Sequence, residues 1–199
     1  MGSLRPKSVS ACWRTSAEFT GMMQIAASLR RQITLVNGCF DLFHSGHVTL
    51  LHYAAAEAVR RRAEVYDRYA ADFDPGLLVV AINSDASIRR LKGTGRPHLP
   101  WAERAAVVAA VGVVDVVVGF DEDTPLELVE FVKPKLLVKG ADYMGKTVPE
   151  AVALPDDGTV LYCDRDATSS SWVAGRVLLG EAERGQEAAM LRRRIEMCG

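Results

Sequence analysis

This sequence lacks paired cysteines and any excess of charge. Its four cysteines, Cys12, Cys39, Cys163 and Cys198, show neither a CxxC nor a metal-ligand spacing. That excludes a disulfide scaffold and a zinc module, and makes a reducing compartment, the cytoplasm, the expectation. Lys and Arg number 24 against 25 Asp and Glu, a net charge of −1. No global field draws the chain to nucleic acid or to an anionic membrane, so any anion site must be local. Long hydrophobic runs are missing too. The longest, 105–118, is interrupted by Gly112 and Asp115 and is too short and broken to span a bilayer. No apolar signal segment follows the N-terminus. At 199 residues and 49% hydrophobic, the chain suits one soluble domain with a sizeable core.

What is present is alternation. Short Val/Ile/Leu runs bounded by Gly, Asp or Asn predict strands at 33–37, 77–83, 113–120, 135–139 and 159–163. Helical patterns fall between and around them, at 17–29, 46–72, 84–91, 101–111, 124–132 and 170–179. Nearly continuous apolar strands alternating with helices predict an α/β fold: a Rossmann-like doubly wound sheet of about five parallel strands with helices on both faces. The expected division is a flexible lead-in at 1–16, one domain at 17–180, and a C-terminal helix or tail at 181–199. A long helical extension is expected over 57–76. Its aromatics Tyr66, Tyr69 and Phe73 are more than so small a sheet can easily cover, which predicts a homodimer contact; the alternatives are a fold-back onto Trp101 or the N-terminal helix, or a cover over the acceptor pocket.

In parallel sheets, ligands bind beyond the carboxyl ends of the strands. The polar residues of this chain gather there: Asn37–His47, Asn83–Asp85, Asp121, Lys139–Tyr143 and Asp164–Ser171. The stretch from Ile33 to His47 is the most informative. An apolar strand reaches Gly38, passes through Cys39, Phe40 and Asp41, and arrives at His44 and His47 where a Leu/Ala-rich helix begins. A helix start offers unpaired N–H groups and a partial positive charge, and two imidazoles add hydrogen bonds to a phosphate. An H-x-G-H tetrapeptide alone is weak evidence, because a loop histidine is commonly a solvated turn residue.

The longer string Asn37-Gly-Cys-Phe-Asp-Leu-Phe-His-Ser-Gly-His47 is far more specific. It resembles the signature of the cytidylyltransferase-like nucleotidyltransferases. The stretches 80–97, 103–110, 120–125 and 137–143 are similar to bacterial heptose 1-phosphate adenylyltransferases. The resemblance covers roughly 17–56 and 77–180. It implies the reaction ATP + heptose 1-phosphate → ADP-heptose + pyrophosphate, with Mg²⁺ carried by the triphosphate. It implies that His44 and His47 bond the α- and β-phosphates beside the backbone of Asn37, Gly38, Cys39 and Phe40. Asp41 either orients that loop or caps the turn before the helix. Arg96 and Arg104 match arginines that face phosphates, although Arg104 could equally pair with Glu103 on its own helix. Lys92 neutralises a substrate or is simply solvated. Lys139 is a binding residue or a structural one. Asp142 matches an acidic residue near nucleotide and metal, or ends a strand.

The run Thr168-Ser169-Ser170-Ser171 resembles the helix opening that receives the β- and γ-phosphates, or is an ordinary N-cap. Here the sequence departs from the pattern: Thr168 replaces an aliphatic residue, Trp172 is unusually large, and Ala174 stands where a basic residue is common. The 57–76 stretch is also longer than in relatives. The competing readings are a cytidylyltransferase for a polyol or amino-alcohol phosphate and a non-catalytic nucleotide-binding protein. A truncated tRNA synthetase is disfavoured by size and charge.

Overall fold

The structure, a computed structural model, describes residues 11–14, 32–65 and 76–164. Six strands, β1 (Ala11–Arg14), β2 (Ile33–Gly38), β3 (Leu77–Asn83), β4 (Val116–Phe120), β5 (Leu136–Gly140) and β6 (Thr159–Cys163), form one parallel sheet in the order β1-β4-β3-β2-β5-β6. The helices are α1 (Ser45–Val65), α2 (Asp85–Lys92), α3 (Trp101–Ala109) and α4 (Leu126–Val132). Short 3₁₀ turns at Ala141–Tyr143 and Pro149–Ala153 lie between β5 and β6.

Strand side chains alternate between faces, so a sheet covered on both sides makes its strands apolar throughout. All seven residues of β3 are buried. Leu35, Val79, Ala81 and Val118 pack on one face with Leu128, Val129 and Val132 of α4. Val36, Val80, Ile82 and Val138 pack on the other with Leu50, Leu51 and Ala54 of α1 and Ala105 and Val108 of α3. Each buried Val, Leu or Ile among them contributes about 1.5–3 kcal/mol by leaving water. Successive strands run outward from β2 through β3 to β4, while β5 and β6 lie on its other side. The strand order therefore reverses between β2 and β5, and a crevice opens beyond their carboxyl ends.

The expected Rossmann-like α/β fold is what forms, with two corrections. The sheet has a sixth strand, because Ala11–Arg14 pairs with β4 inside the stretch read as a lead-in. Four residues are too few to show a period, and only the open edge of β4 gives them partners. β4 starts at Val116 rather than Val113, because Asp115 is used as a clip: its Oδ2 accepts from the Leu78 N–H at 2.9 Å and its own N–H donates to the Leu78 carbonyl at 3.1 Å. α1 is described as far as Val65. Tyr66, Tyr69 and Phe73, the helices read at 17–29 and 170–179, and the 181–199 tail lie outside the described residues. No helix among the described residues is long and apolar enough to cross a membrane.

Gly76 leads into β3 at φ +95°, and a Cβ there would sit 2.3 Å from the Gln32 carbonyl oxygen. That oxygen accepts the Leu77 N–H at 2.8 Å, so it has little freedom to move aside. Gly76→Ala is expected to cost about 1–3 kcal/mol of stability. Urea unfolding checks this, and an unchanged midpoint would contradict the geometry.

Candidate active site

The loop after β2 is held in an uncommon shape. Phe40 and Leu42 both have φ +48°, a left-handed conformation that bulky residues adopt only when their surroundings impose it. Phe40 is buried, and a Cβ on Gly38 would lie 3.3 Å from its ring, so glycine lets the ring fold back beside the strand end. α1 then begins at Ser45, with the His44 carbonyl accepting the N–H of His47 at 2.9 Å. His47 is buried, and its Nδ1 accepts the His44 backbone N–H at 3.3 Å. In a neutral ring that leaves the proton on Nε2. Phe40 and Phe43 flank the His47 ring at 5.0 and 5.3 Å, and the His44 ring stacks on it at 3.8 Å.

A pocket of about 350 Å³ occupies the crevice between β2 and β5. Among the residues expected to form the site, Asn37, Gly38, Cys39, Phe40, Asp41, His47, Lys92, Lys139 and Asp142 line it. Asn83, Asp123 and Tyr143 line it as well. Lys92 is the last residue of α2 and is exposed, so a phosphate could displace its water without moving the fold. His44 is half-buried against His47 and is not among the lining residues. Ser169, Ser170 and Ser171 lie outside the described residues.

Asp41 was expected either to orient the loop or to cap the turn before the helix. Its carboxylate takes the Arg96 guanidinium at 2.6 Å and the backbone N–H groups of His98 and Leu99 at 2.9 and 3.2 Å. Burial alone would raise the Asp41 carboxyl, but the Arg96 hydrogen bond and the two N–H groups outweigh it and hold it below the ordinary carboxylate range. Asp41 therefore orients the loop, by tying it to the segment before α3. The same contact corrects the expectation for Arg96. Its guanidinium is engaged by Asp41 rather than lining the pocket.

Arg104 needs a larger correction. It was expected to face a phosphate or to pair with Glu103, yet its side chain is fully buried. Nε donates to the Leu99 carbonyl at 3.0 Å and Nη1 to the Cys39 carbonyl at 2.5 Å. Nη2 donates to the Asn83 carbonyl at 2.9 Å and to Asp85 Oδ1 at 2.8 Å. Arg104 shares the inner face of α3 with Ala105 and Val108. That i, i+4 relation to an apolar position was the signal available in the sequence. Asn83 adds a second tie, donating to Ser87 Oγ at 3.0 Å and receiving the Cys39 thiol at 3.9 Å.

Lys139 sits at the end of β5, one step past the Val36–Val138 pairing. Its ammonium donates to Asn37 Oδ1 at 2.7 Å and pairs with Glu150, a residue the sequence did not single out. Glu150 stands in a 3₁₀ turn without periodicity, so nothing in the sequence marked it. Burial pushes the Lys139 ammonium down from its ordinary value, and the Glu150 carboxylate restores only part of that.

Two outcomes follow from these ties. Arg104→Met leaves the Cys39 and Asn83 carbonyls without their donor and is expected to cost about 3–5 kcal/mol. Thermal unfolding checks it; a native melting temperature combined with lost activity would restore the phosphate role. Asp41 has a lowered folded-state value, so its contribution is present above the unfolded carboxylate value of ~3.9 and is lost as pH falls through the folded one. Asp41→Asn is expected to be less stable than wild type at pH 7, with the gap narrowing below about pH 4. Denaturant titrations across that range would show parallel curves if the carboxylate were not the cause.

A profile of the cytidylyltransferase-like family matches residues 35–154. The bifunctional protein HldE of Campylobacter curvus (strain 525.92) is 38% identical over 165 residues, covering 79% of this chain and 32% of its own length. That of Acidiphilium cryptum (strain JF-5) is 49% identical over 117 residues, covering 59% of this chain and 21% of its own. The chain thus spans about a third or less of these curated relatives. A lipopolysaccharide core biosynthesis protein from Thermoplasma volcanium GSS1 superposes with a TM-score of 0.48 at 21% identity, covering 68% of this chain and 98% of its own. Matched by the profile over more than half its length, from β2 through the loop after β5, the chain belongs to the cytidylyltransferase-like family of nucleotidyltransferases.

Proposed function

We propose that this chain joins the nucleoside monophosphate of an NTP, with ATP preferred, to a sugar 1-phosphate, with heptose 1-phosphate preferred, in cytoplasmic nucleotide-sugar biosynthesis. The observation that carries the proposal is His47 at the start of α1, presented to a pocket at the strand-order reversal with Lys139 also in its wall. The resemblance of the stretches 80–97, 103–110, 120–125 and 137–143 to heptose 1-phosphate adenylyltransferases supports both the sugar and the base.

An oxygen of the sugar phosphate attacks the α-phosphorus, the bond to the bridging oxygen of the β-phosphate breaks, and pyrophosphate leaves with that electron pair. The attacking oxygen is already anionic, so no strong general base is needed. Alignment of two anions and stabilisation of the charge that grows on the phosphoryl oxygens carry the catalysis. His47 offers the Nε2 proton and the first turn of α1 its N–H groups. His44 stacks on the His47 ring and fixes its plane.

Among the described residues no cluster of three or more His, Cys, Asp or Glu is placed to hold a metal. Mg²⁺ would come with the triphosphate, and Asp142 and Asp123, which line the pocket beside Asp41, would be the carboxylates to hold it. Bound there, Mg²⁺ would supply neutralising charge. A homodimer belongs to the same proposal and rests on the aromatic stretch 66–73.

Pyrophosphate release with ATP, Mg²⁺ and heptose 1-phosphate tests the reading, and kcat/KM is expected to be higher with ATP than with CTP. A higher value with CTP and a polyol phosphate would favour the cytidylyltransferase alternative. His47→Ala and His44→Ala are each expected to lose at least ~2–3 kcal/mol of transition-state stabilisation, about two orders of magnitude in kcat/KM. Near-native turnover in either variant would remove that histidine from the mechanism.

A further inference from the structure

The Lys139–Glu150 pair is a charged feature at the pocket to which the mechanism above gives no role. Both side chains are almost wholly buried, Lys139 at 4% and Glu150 at 3% exposure. Isolated burial of either charge would be prohibitive, and even a buried pair gains little over apolar residues of equal size. A fold that needed only filling there would do as well with a methionine and a leucine. The pair is also oriented. Lys139 lines the pocket and Glu150 does not, so the cation faces the ligand space and the anion stands behind it.

An ammonium has three protons. One goes to Asn37 and one to Glu150, and the third has no recorded acceptor among the described residues. Asn37 closes the seam from β2, so the nitrogen is gripped from both sides of the strand-order reversal. The Tyr143 ring lies 5.0 Å from it.

We infer that Lys139 is a phosphate contact of this pocket and that Glu150 is the positioning residue that holds its ammonium at the β2–β5 seam. The inference rests on the nucleotidyltransferase reading for its ligand class, a phosphate oxygen, from either the triphosphate or the sugar phosphate. Besides Glu150, the ionisable groups around Lys139 are Asp142 and Tyr143 of the turn that follows β5, and Tyr162, its register partner on β6. Burial disfavours the charged lysine, while Glu150 and then Asp142 favour it. Neutralising Glu150 must therefore let Lys139 lose its proton at a lower pH than in wild type.

The test is calorimetric binding with Mg²⁺ present, using inorganic pyrophosphate as probe for the triphosphate side and glucose 1-phosphate for the sugar side. It needs no turnover. Lys139→Met/Glu150→Gln removes both charges together, so no buried ion is stranded and folding is kept, as circular dichroism and melting would verify. That variant is expected to bind one of the probes at least tenfold more weakly, and the probe affected identifies the phosphate. Glu150→Gln alone is expected to weaken more steeply than wild type as pH rises, and Glu150→Asp to recover most of the difference. A folded double variant within threefold of wild type for both probes overturns the inference. So does a wild type that binds neither probe, or a Glu150→Gln profile parallel to wild type. Should the double variant not fold, the Glu150→Gln profile decides alone. Normal binding changes without pyrophosphate release from any substrate pair would sink the proposed reaction and leave the Lys139 contact standing.

Discussion

The arrangement of the pocket depends on one buried guanidinium. Arg104 reaches from α3 to the Cys39 carbonyl at the end of β2, the Asn83 carbonyl at the end of β3, the Leu99 carbonyl, and Asp85 at the start of α2. Strand ends are where backbone carbonyls run out of ladder partners, and in a covered sheet they cannot all turn to water. A planar cation with several donors in fixed directions satisfies two of them, and the Leu99 carbonyl besides, at once. The cost of burying its charge is offset by Asp85 and by those hydrogen bonds, each stronger for being charge-assisted. The clasp joins the two neighbouring strand ends on which the loop with Phe40, Asp41 and the histidines is built. Asp41 repeats the device on a smaller scale, drawing Arg96 and the N–H groups of His98 and Leu99 onto the same loop. With Phe40 and Leu42 held at positive φ, the loop has an uncommon backbone shape that its own residue types do not favour. The two arginines outside it supply the restraint.

This explains which parts were legible in the sequence. Strands buried on both faces are apolar without interruption, so β2, β3, β5 and β6 could be placed closely. The strand–loop–helix joint with His44 and His47 is a local construction whose chemistry is written in consecutive residues. Contacts made across the sheet are different. That Asp41 meets Arg96, 55 residues away in the chain, follows from the closing of α3 over the sheet and from no spacing in the sequence. Arg104 is instructive because its helical position was readable while its chemistry was not. An arginine at a phosphate site and an arginine clasping strand ends are the same residue type near the same place. Only the direction of the side chain separates them, and residues on the inner face of α3 point at the sheet. Glu150 was not legible at all, since a lone acid in a 3₁₀ turn carries no periodicity. The edge strand Ala11–Arg14 was missed for the complementary reason: it is too short to carry a pattern and takes its shape from β4.

The near-neutral charge of the chain also becomes intelligible at this level. A nucleotidyltransferase site must meet the negative charges of nucleotide phosphates, yet the chain carries a net charge of −1. Three carboxylates line the pocket, those of Asp41, Asp123 and Asp142, against the cations Lys92 and Lys139. Counted as formal charges, that lining would repel the ligand. The count misleads because the charges differ in what already surrounds them. Asp41 has its charge taken up by Arg96 and two N–H groups, so it projects little field into the pocket. Asp123 is paired at the surface with Arg90 at 2.8 Å. Lys139 is partly compensated by Glu150, but its compensation sits behind it, away from the ligand. On the proposed reading, the groups that would face a phosphate are Lys139, Lys92 and the His47 ring. Lys139 and His47 are held in direction by Asn37, Glu150 and the His44 backbone, and charges oriented in advance act more strongly than solvated ones. Such a site would select phosphate through orientation rather than net charge. A mostly neutral surface is compatible with it, because the field is needed only over the few ångströms in which the phosphorus changes partners.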